Sequence, residues 1–122
     1  MEWYLRKLGR KRLEAESKQM REHTAFLLFQ TEGEELEWCG GLRSGRLGYW
    51  HREVRLVYDS NHPYKRMTVF ILEPKLPQLN NHIYPNGTIC YESGNWSADW
   101  TAFSVYLTVI HFLDDFYSGR MH

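Results

Sequence analysis

Between residues 24 and 72 the chain carries four strand-like segments in succession, separated only by short turn sequences. The first, "TAFLLFQ" (24–30), is apolar and runs into the acidic turn "TEGEEL". The second, "LEWCGGL" (36–42), ends in a glycine pair, which in a strand marks a bulge or a close backbone approach. In the third, "HREVRLVY" (51–58), the alternation places Val54, Leu56 and Tyr58 on one face. The fourth, "MTVFIL" (67–72), is β-branched and aromatic, as expected of a central strand. The connections include the glycine-rich "RSGRLG" and the turn "DSNHPY". Strands joined this way, in sequence order, form an antiparallel meander.

Helical patterns flank the meander. Residues 2–22 contain no proline, and Leu5, Leu8, Leu13 and Met20 recur at loosely helical spacing among Glu, Lys and Arg. Residues 99–117 predict a second helix with Phe103, Tyr106, Leu107, Ile110, Leu113 and Tyr117 as its apolar stripe, Ser97 or Asp99 as cap and Gly119 as stop. From 73 to 100, Pro74, Pro77, Pro85, Gly87 and Gly94 break every regular pattern. A loop of that length in a compact domain is usually functional. The expected fold class is α+β: N-terminal helix, four-stranded antiparallel meander, long active-site loop, C-terminal helix.

At 122 residues, the expectation is a single domain spanning 1–122. Fifteen basic residues balance fifteen acidic ones, so no overall field points to nucleic acid or an anionic membrane. The charged start "MEWYLRKLGRKRLEAESKQM" is unlike a secretory signal, and no apolar run approaches the ~20 residues of a membrane span. Two cysteines without an export signal suit reduced thiols in a cytoplasm, although Cys39 and Cys90 are a formal pair. Arg6, Lys7, Arg10, Lys11 and Arg12 crowd seven positions of the first helix; they read as a solvated face or as a docking surface for an acidic partner.

The chemistry concentrates in "HIYPNGTICYESGNWS" (82–97). Cys90 follows a Pro-Asn-Gly turn, in an irregular segment where a thiol escapes the burial that makes structural cysteines inert. Exposed turn N–H groups, with Asn80, Asn81, His82 and Asn86, are donors able to hold an oxyanion when a thiolate attacks a carbonyl. The residue types alone leave a small buried hydrophobe as the competing reading. Cys39, mid-strand beside Trp38, reads as a core hydrophobe. No C-x-x-C or H-x-x-x-H spacing is present, so neither a metal nor another cofactor is expected. A cysteine hydrolase using His62, His82 or His111 as base has no identifying order or spacing.

These motifs resemble, in order, those of the ubiquitin-conjugating enzymes. "HPYKRMTVFILEP" is similar to the family's "YPFKPPKVRF" strand, with Arg66 and Met67 in place of the proline pair. "NGTICY" is very similar to "NGSICL" around the family's acceptor cysteine, which falls on Cys90. "NWSADW" resembles "QWSPAL", with Trp96 on the loop tryptophan. The likeness spans nearly the whole chain, but only 82–100 is specific. The family's His-Pro-Asn tripeptide reads Asn80-Asn81-His82 here, so His82 stands where the oxyanion-stabilising asparagine would. Neutral imidazole retains one N–H for that duty, with Asn81 and Asn86 as alternatives. The last two helices of the eukaryotic fold have no counterpart.

A minimal core with histidine at that position looks more like the bacterial relatives found in antiphage operons, some built around synthases resembling cyclic GMP-AMP synthase. The resemblance implies a thioester carrier. Cys90 would accept the C-terminal glycine of a ubiquitin-like protein or a cyclic-nucleotide synthase, with or without an activating enzyme, and pass it to a target amine. Tyr91, Glu92, Trp96 and Trp100 would shape the groove for the donor tail. Asp99, Asp114 and Asp115 are candidates for assisting the amine, and Arg6, Arg10 and Lys11 for engaging the upstream partner. A catalytically silent binding module of the same fold is the alternative.

Overall fold

The computed structural model describes residues 1–121. A 3-10 turn, Trp3–Leu5, leads into α1 (Lys7–His23). Four strands follow, β1 (Leu27–Gln30), β2 (Leu36–Arg43), β3 (Trp50–Val57) and β4 (Thr68–Glu73), and the last helix is α2 (Ala102–Tyr117). The sheet order is β1-β2-β3-β4 with every pair antiparallel, so the predicted meander and the α+β class both hold. The register of β2 against β3 slips between Gly40 and Leu42, the bulge that the glycine pair announces. β4 is the terminal strand rather than a central one. Its apolar character comes from a covered edge: Gly87 and Ile89 hydrogen-bond to it from the following loop.

One face of the sheet, carrying Trp38, Val54, Leu56, Tyr58, Val69 and Ile71, packs with α2 and Met20 of α1 into one core. β1 is shorter than 24–30 because Thr24 is spent on ending α1. Its N–H and Oγ1 both bond the Met20 carbonyl, at 2.8 and 2.9 Å. The apolar stripe on α1 is thin. Leu13 and Met20 pack inward, whereas Leu8 sits 79% exposed and Leu5 lies outside the helix. Five residues of helix turn through about 140° from their starting azimuth, so Leu8 and Leu13 cannot share a face.

α2 also departs from its expected stripe. Ala102, Val105, Val109, Phe112 and Leu113 are the buried apolar positions, and of the predicted set only Leu113 is among them. Phe103, Tyr106, Ile110 and Tyr117 flank the core and Leu107 is exposed. Two helical stripes compete on this apolar segment, and the small Ala and Val side chains allow the closer approach to the sheet. The cap is Thr101, whose Oγ1 accepts from the Ser104 N–H while Ser104 Oγ accepts from the Thr101 N–H. Ser97 instead closes the turn before it, accepting from the N–H groups of Asp99 and Trp100.

Two buried polar sites tie the elements together. At the first, Glu16 of α1 is 2% exposed. It accepts from Arg12 Nε at 2.8 Å, His62 Nε2 at 2.7 Å, Tyr58 OH at 3.0 Å and the Ala102 N–H at 2.7 Å. At the second, His51 sits at no measurable exposure between the Pro74 carbonyl (2.8 Å from Nδ1) and Tyr117 OH (2.7 Å from Nε2). A carbonyl only accepts, so Nδ1 carries the hydrogen and the Tyr117 hydroxyl donates to Nε2.

Burial holds the His51 imidazole below its usual titration range, against the opposing pull of the Pro74 carbonyl. A depressed histidine pKa means that the unfolded chain binds the proton first. Stability is therefore expected to fall as pH drops below about 6.5, the ordinary histidine value, toward the lower folded one. Thermal melts between those limits should show this slope in the wild type. It should flatten in His51→Leu; an unchanged slope in the variant would remove His51 from the acid response.

Candidate functional site

The loop 74–100 is ordered by pairing against the open edge of β4. The Ile71 N–H bonds the Gly87 carbonyl at 2.8 Å and the Ile89 N–H bonds the Val69 carbonyl at 3.1 Å. The chain doubles back on itself around Pro85-Asn86-Gly87, with Ile83 bridged to Ile89 and the Tyr84 N–H on the Thr88 carbonyl. Gly87 is required at the turn. Its φ is +92°, and a Cβ there would strike the Leu72 side chain. Ile83 and Ile89 are buried and anchor the small hairpin. Cys90 lies at its end, half-buried, and its N–H bonds the His82 carbonyl at 2.9 Å. Eight residues of sequence separation thus close into backbone adjacency.

Beyond Cys90 the chain folds back through Glu92. The Cys90 thiol donates to the Glu92 carbonyl at 3.1 Å. The Glu92 side chain is 3% exposed. Its Oε2 accepts from the N–H groups of Gly94 and Asn95, at 2.8 and 3.0 Å, and its Oε1 from Arg66 Nη1 at 2.9 Å. Burial alone would raise the Glu92 pKa, but Arg66 and the two N–H groups hold it below the usual carboxylate range. Arg66 itself is held above the ordinary arginine range by Glu92 first, against the effect of partial burial, and further by electrostatic interaction with Cys90.

The predicted residues divide. Cys90 and His82 meet, and Asn81 lies beside them in a left-handed turn (φ +67°), exposed, with the His82 N–H on the Leu79 carbonyl at 2.9 Å. Asn86 sits at the far tip of the hairpin, its Oδ1 taking both the N–H and the hydroxyl of Thr88. It borders a groove on the outer sheet face with Glu37, Arg55 and Phe70, away from the thiol. Tyr91 is a core residue instead of a groove wall, with its hydroxyl on the Met67 carbonyl at 2.6 Å. Glu92 likewise turns inward as a strut. Trp96 is half-buried, donates to the Pro63 carbonyl at 2.9 Å and stacks on Trp100 at 5.2 Å. Asp99 is exposed in the turn before α2, Asp114 is buried with its carboxylate on the Arg46 N–H, and Asp115 pairs with Arg120.

Of the basic run, Arg6, Lys7, Arg10 and Lys11 are exposed, but Arg12 is drawn inward to Glu16 and to the Trp100 carbonyl. Both cysteines are free thiols. Cys39 is not in the core. Strand alternation puts it opposite Trp38, on the outer face with Glu37 and Arg55. Burial, together with the Glu37 carboxylate that its Sγ–H bonds at 3.2 Å, pushes its pKa up to about 12. Sequence reasoning missed Arg66, read there only as a departure from a proline. An ion pair between positions 66 and 92 leaves no local pattern to detect.

No family model matches this chain, and no curated protein matches it. Among the described residues no group of His, Cys, Asp and Glu is placed to hold a metal, and no helix is long and apolar enough to cross a membrane.

Proposed function

We propose that this protein is a thioester-carrying conjugating enzyme of the ubiquitin-conjugating type. Cys90 accepts the C-terminal glycine carboxylate of a ubiquitin-like protein or a cyclic-nucleotide synthase and passes it to a target amine, in bacterial antiphage defence. The observation that carries this reading is the pairing of Cys90 with His82 at the end of the β4-edge hairpin. It sets the backbone of Cys90 against that of the residue standing for the oxyanion-binding asparagine, which supports the reading. The α+β layout, with the meander between two helices and the cysteine in the long loop, agrees with the family's arrangement.

The thiolate attacks the activated glycine carbonyl, the oxyanion is held by N–H donors near His82, and the leaving group departs with its electron pair. An amine then attacks the thioester and Cys90 leaves. Exposed Arg6, Arg10 and Lys11 offer the surface for an acidic upstream partner, where charge acts mainly on association rate. The test is incubation with a donor ending in a free glycine, its activating partner and ATP, followed by peptide mapping. The expected product is a reductant-sensitive acyl group on the peptide containing Cys90. An acyl group on Cys39, or turnover of a model ester without any transfer, would replace this reading; the latter would favour a hydrolase.

A further inference from the structure

Arg66, linked to Cys90 through Glu92, has no part in the acyl-transfer steps assigned to Cys90 and His82. Arg66 lies just before β4, and about half of its side chain is open to solvent. Its Nη1 is fixed at 2.9 Å on Glu92 Oε1. That carboxylate is in turn fixed by the N–H groups of Gly94 and Asn95. Glu92 is also the residue whose carbonyl receives the Cys90 thiol, so guanidinium and sulfur are held by one residue, through its side chain and its backbone. The Glu92 carbonyl and the Arg66 guanidinium would favour different forms of the sulfur. A carbonyl accepting from Sγ–H suits the neutral thiol, and a guanidinium suits the thiolate.

We infer that Arg66, clamped by Glu92, is the residue that carries the negative charge of the Cys90 sulfur through acyl transfer. This rests on the reading of Cys90 as acyl acceptor. On loading, the thiol proton passes to solvent and the freed sulfur gives up its bond to the Glu92 carbonyl. The Sγ–C bond then forms as the donor's leaving group departs with its electrons. On discharge, the amine nitrogen bonds the carbonyl carbon, the C–Sγ bond breaks, and Sγ leaves as a thiolate beside the same guanidinium while the amine proton goes to solvent. The buried Glu92 carboxylate has a structural duty: it fixes the arginine fork without touching the acyl group.

The test uses the Cys39→Ser protein, in which Cys90 is the remaining thiol, with Arg66 intact, Arg66→Met or Arg66→Lys. Its thiol is timed with the dianionic dithio-bis-nitrobenzoate and with uncharged dithiodipyridine. The ratio of the two rates reports the charge beside the sulfur and is indifferent to general loosening of the loop. The ratio is expected to fall about ten-fold in Arg66→Met and to recover in Arg66→Lys, because a cation beside the site steers anions. Equal ratios for Arg66 and Arg66→Met, or a fall that lysine does not reverse, would overturn the assignment. Loading from a glycine-ended donor separates the two claims. Charge selectivity that follows Arg66 in a protein that never loads would sink the acceptor reading alone. Loading that proceeds at one rate, with one ratio, in every variant would sink the Arg66 role alone.

Discussion

Glu16→Ala is expected to lower the melting temperature by on the order of 10–20 °C, from a loss of roughly 3–5 kcal/mol, the usual cost of removing one partner of a buried charged pair. The carboxylate is the common acceptor for Arg12, His62, Tyr58 and the first N–H of α2, and its removal takes an acceptor from all four at once, Arg12 keeping the Trp100 carbonyl. His62 is fully buried and its Nδ1 already lacks a hydrogen-bond partner among the described residues, so the ring has nowhere to turn. Tyr58 keeps only the bond it receives from Trp38 Nε1. For a domain whose total stability is about 5–15 kcal/mol, such a loss is a large share. Acid should act through the same group. Burial opposes its ionisation, but His62, the Ala102 N–H and Arg12 together hold the Glu16 pKa below the ordinary value. Its contribution is complete above the unfolded glutamate pKa, about 4.3, and is lost as pH falls through the lower folded value. Calorimetry on wild type and Glu16→Ala would check both points, and a melting temperature within two or so degrees (well under the ~10 °C expected) would refute the shared-acceptor account.

Cys90→Ala is expected to form no donor adduct at all, and Cys39→Ser to form it in full. The asymmetry follows from the surroundings of the second thiol. With its pKa pushed up to about 12, Cys39 at neutral pH is a thiolate for on the order of one molecule in a hundred thousand. His82→Ala should load and discharge roughly ten- to a thousand-fold more slowly, the range for losing one oxyanion donor. The bond from the Cys90 N–H to the His82 backbone carbonyl survives that substitution, so the hairpin should stay folded. A gel assay with and without reductant, paired with a thermal melt, separates the outcomes. An adduct surviving in Cys90→Ala defeats the proposal. Activity lost in His82→Ala together with a large drop in melting temperature would make His82 a brace for the loop.

The fold class was legible because it rests on local periodicities. Alternation in 51–58, the glycine pair at 40–41 and the breakers after 73 each act within a few residues, and each reappears in the structure as strand, bulge and loop. Cys90 and His82 were legible as candidates because the turn between them is a short-range device that returns the chain to its starting point. The burial of α2 was not. On a helix apolar around most of its girth, spacing cannot say which stripe meets the sheet, and the close-packing Val105 and Val109 prevailed over the bulkier aromatics. Cys39 shows the same gap in a strand. Its neighbour Trp38 is in the core, and a period of two therefore sends the thiol to the other face, where Glu37 waits.

Sequence alone thus determined the elements, their order and the placement of a cysteine at a tight turn, since helices, strands and turns are specified by neighbours in the chain. Which faces are buried, and which charges meet, was decided only by tertiary packing. Arg66 with Glu92 and Glu16 with His62 are pairs between distant segments, and their energies depend on burial that no local pattern encodes. Gly9 makes the point within one helix. By propensity alone, alanine there would favour α1 by about 1 kcal/mol. In the folded chain, its Cβ would collide with the backbone carbonyl of Trp3, because the 3-10 turn lies directly against the helix and Trp3 is buried beneath it. Helix propensity is a property of the isolated segment, whereas the collision exists only once the chain has folded back on itself.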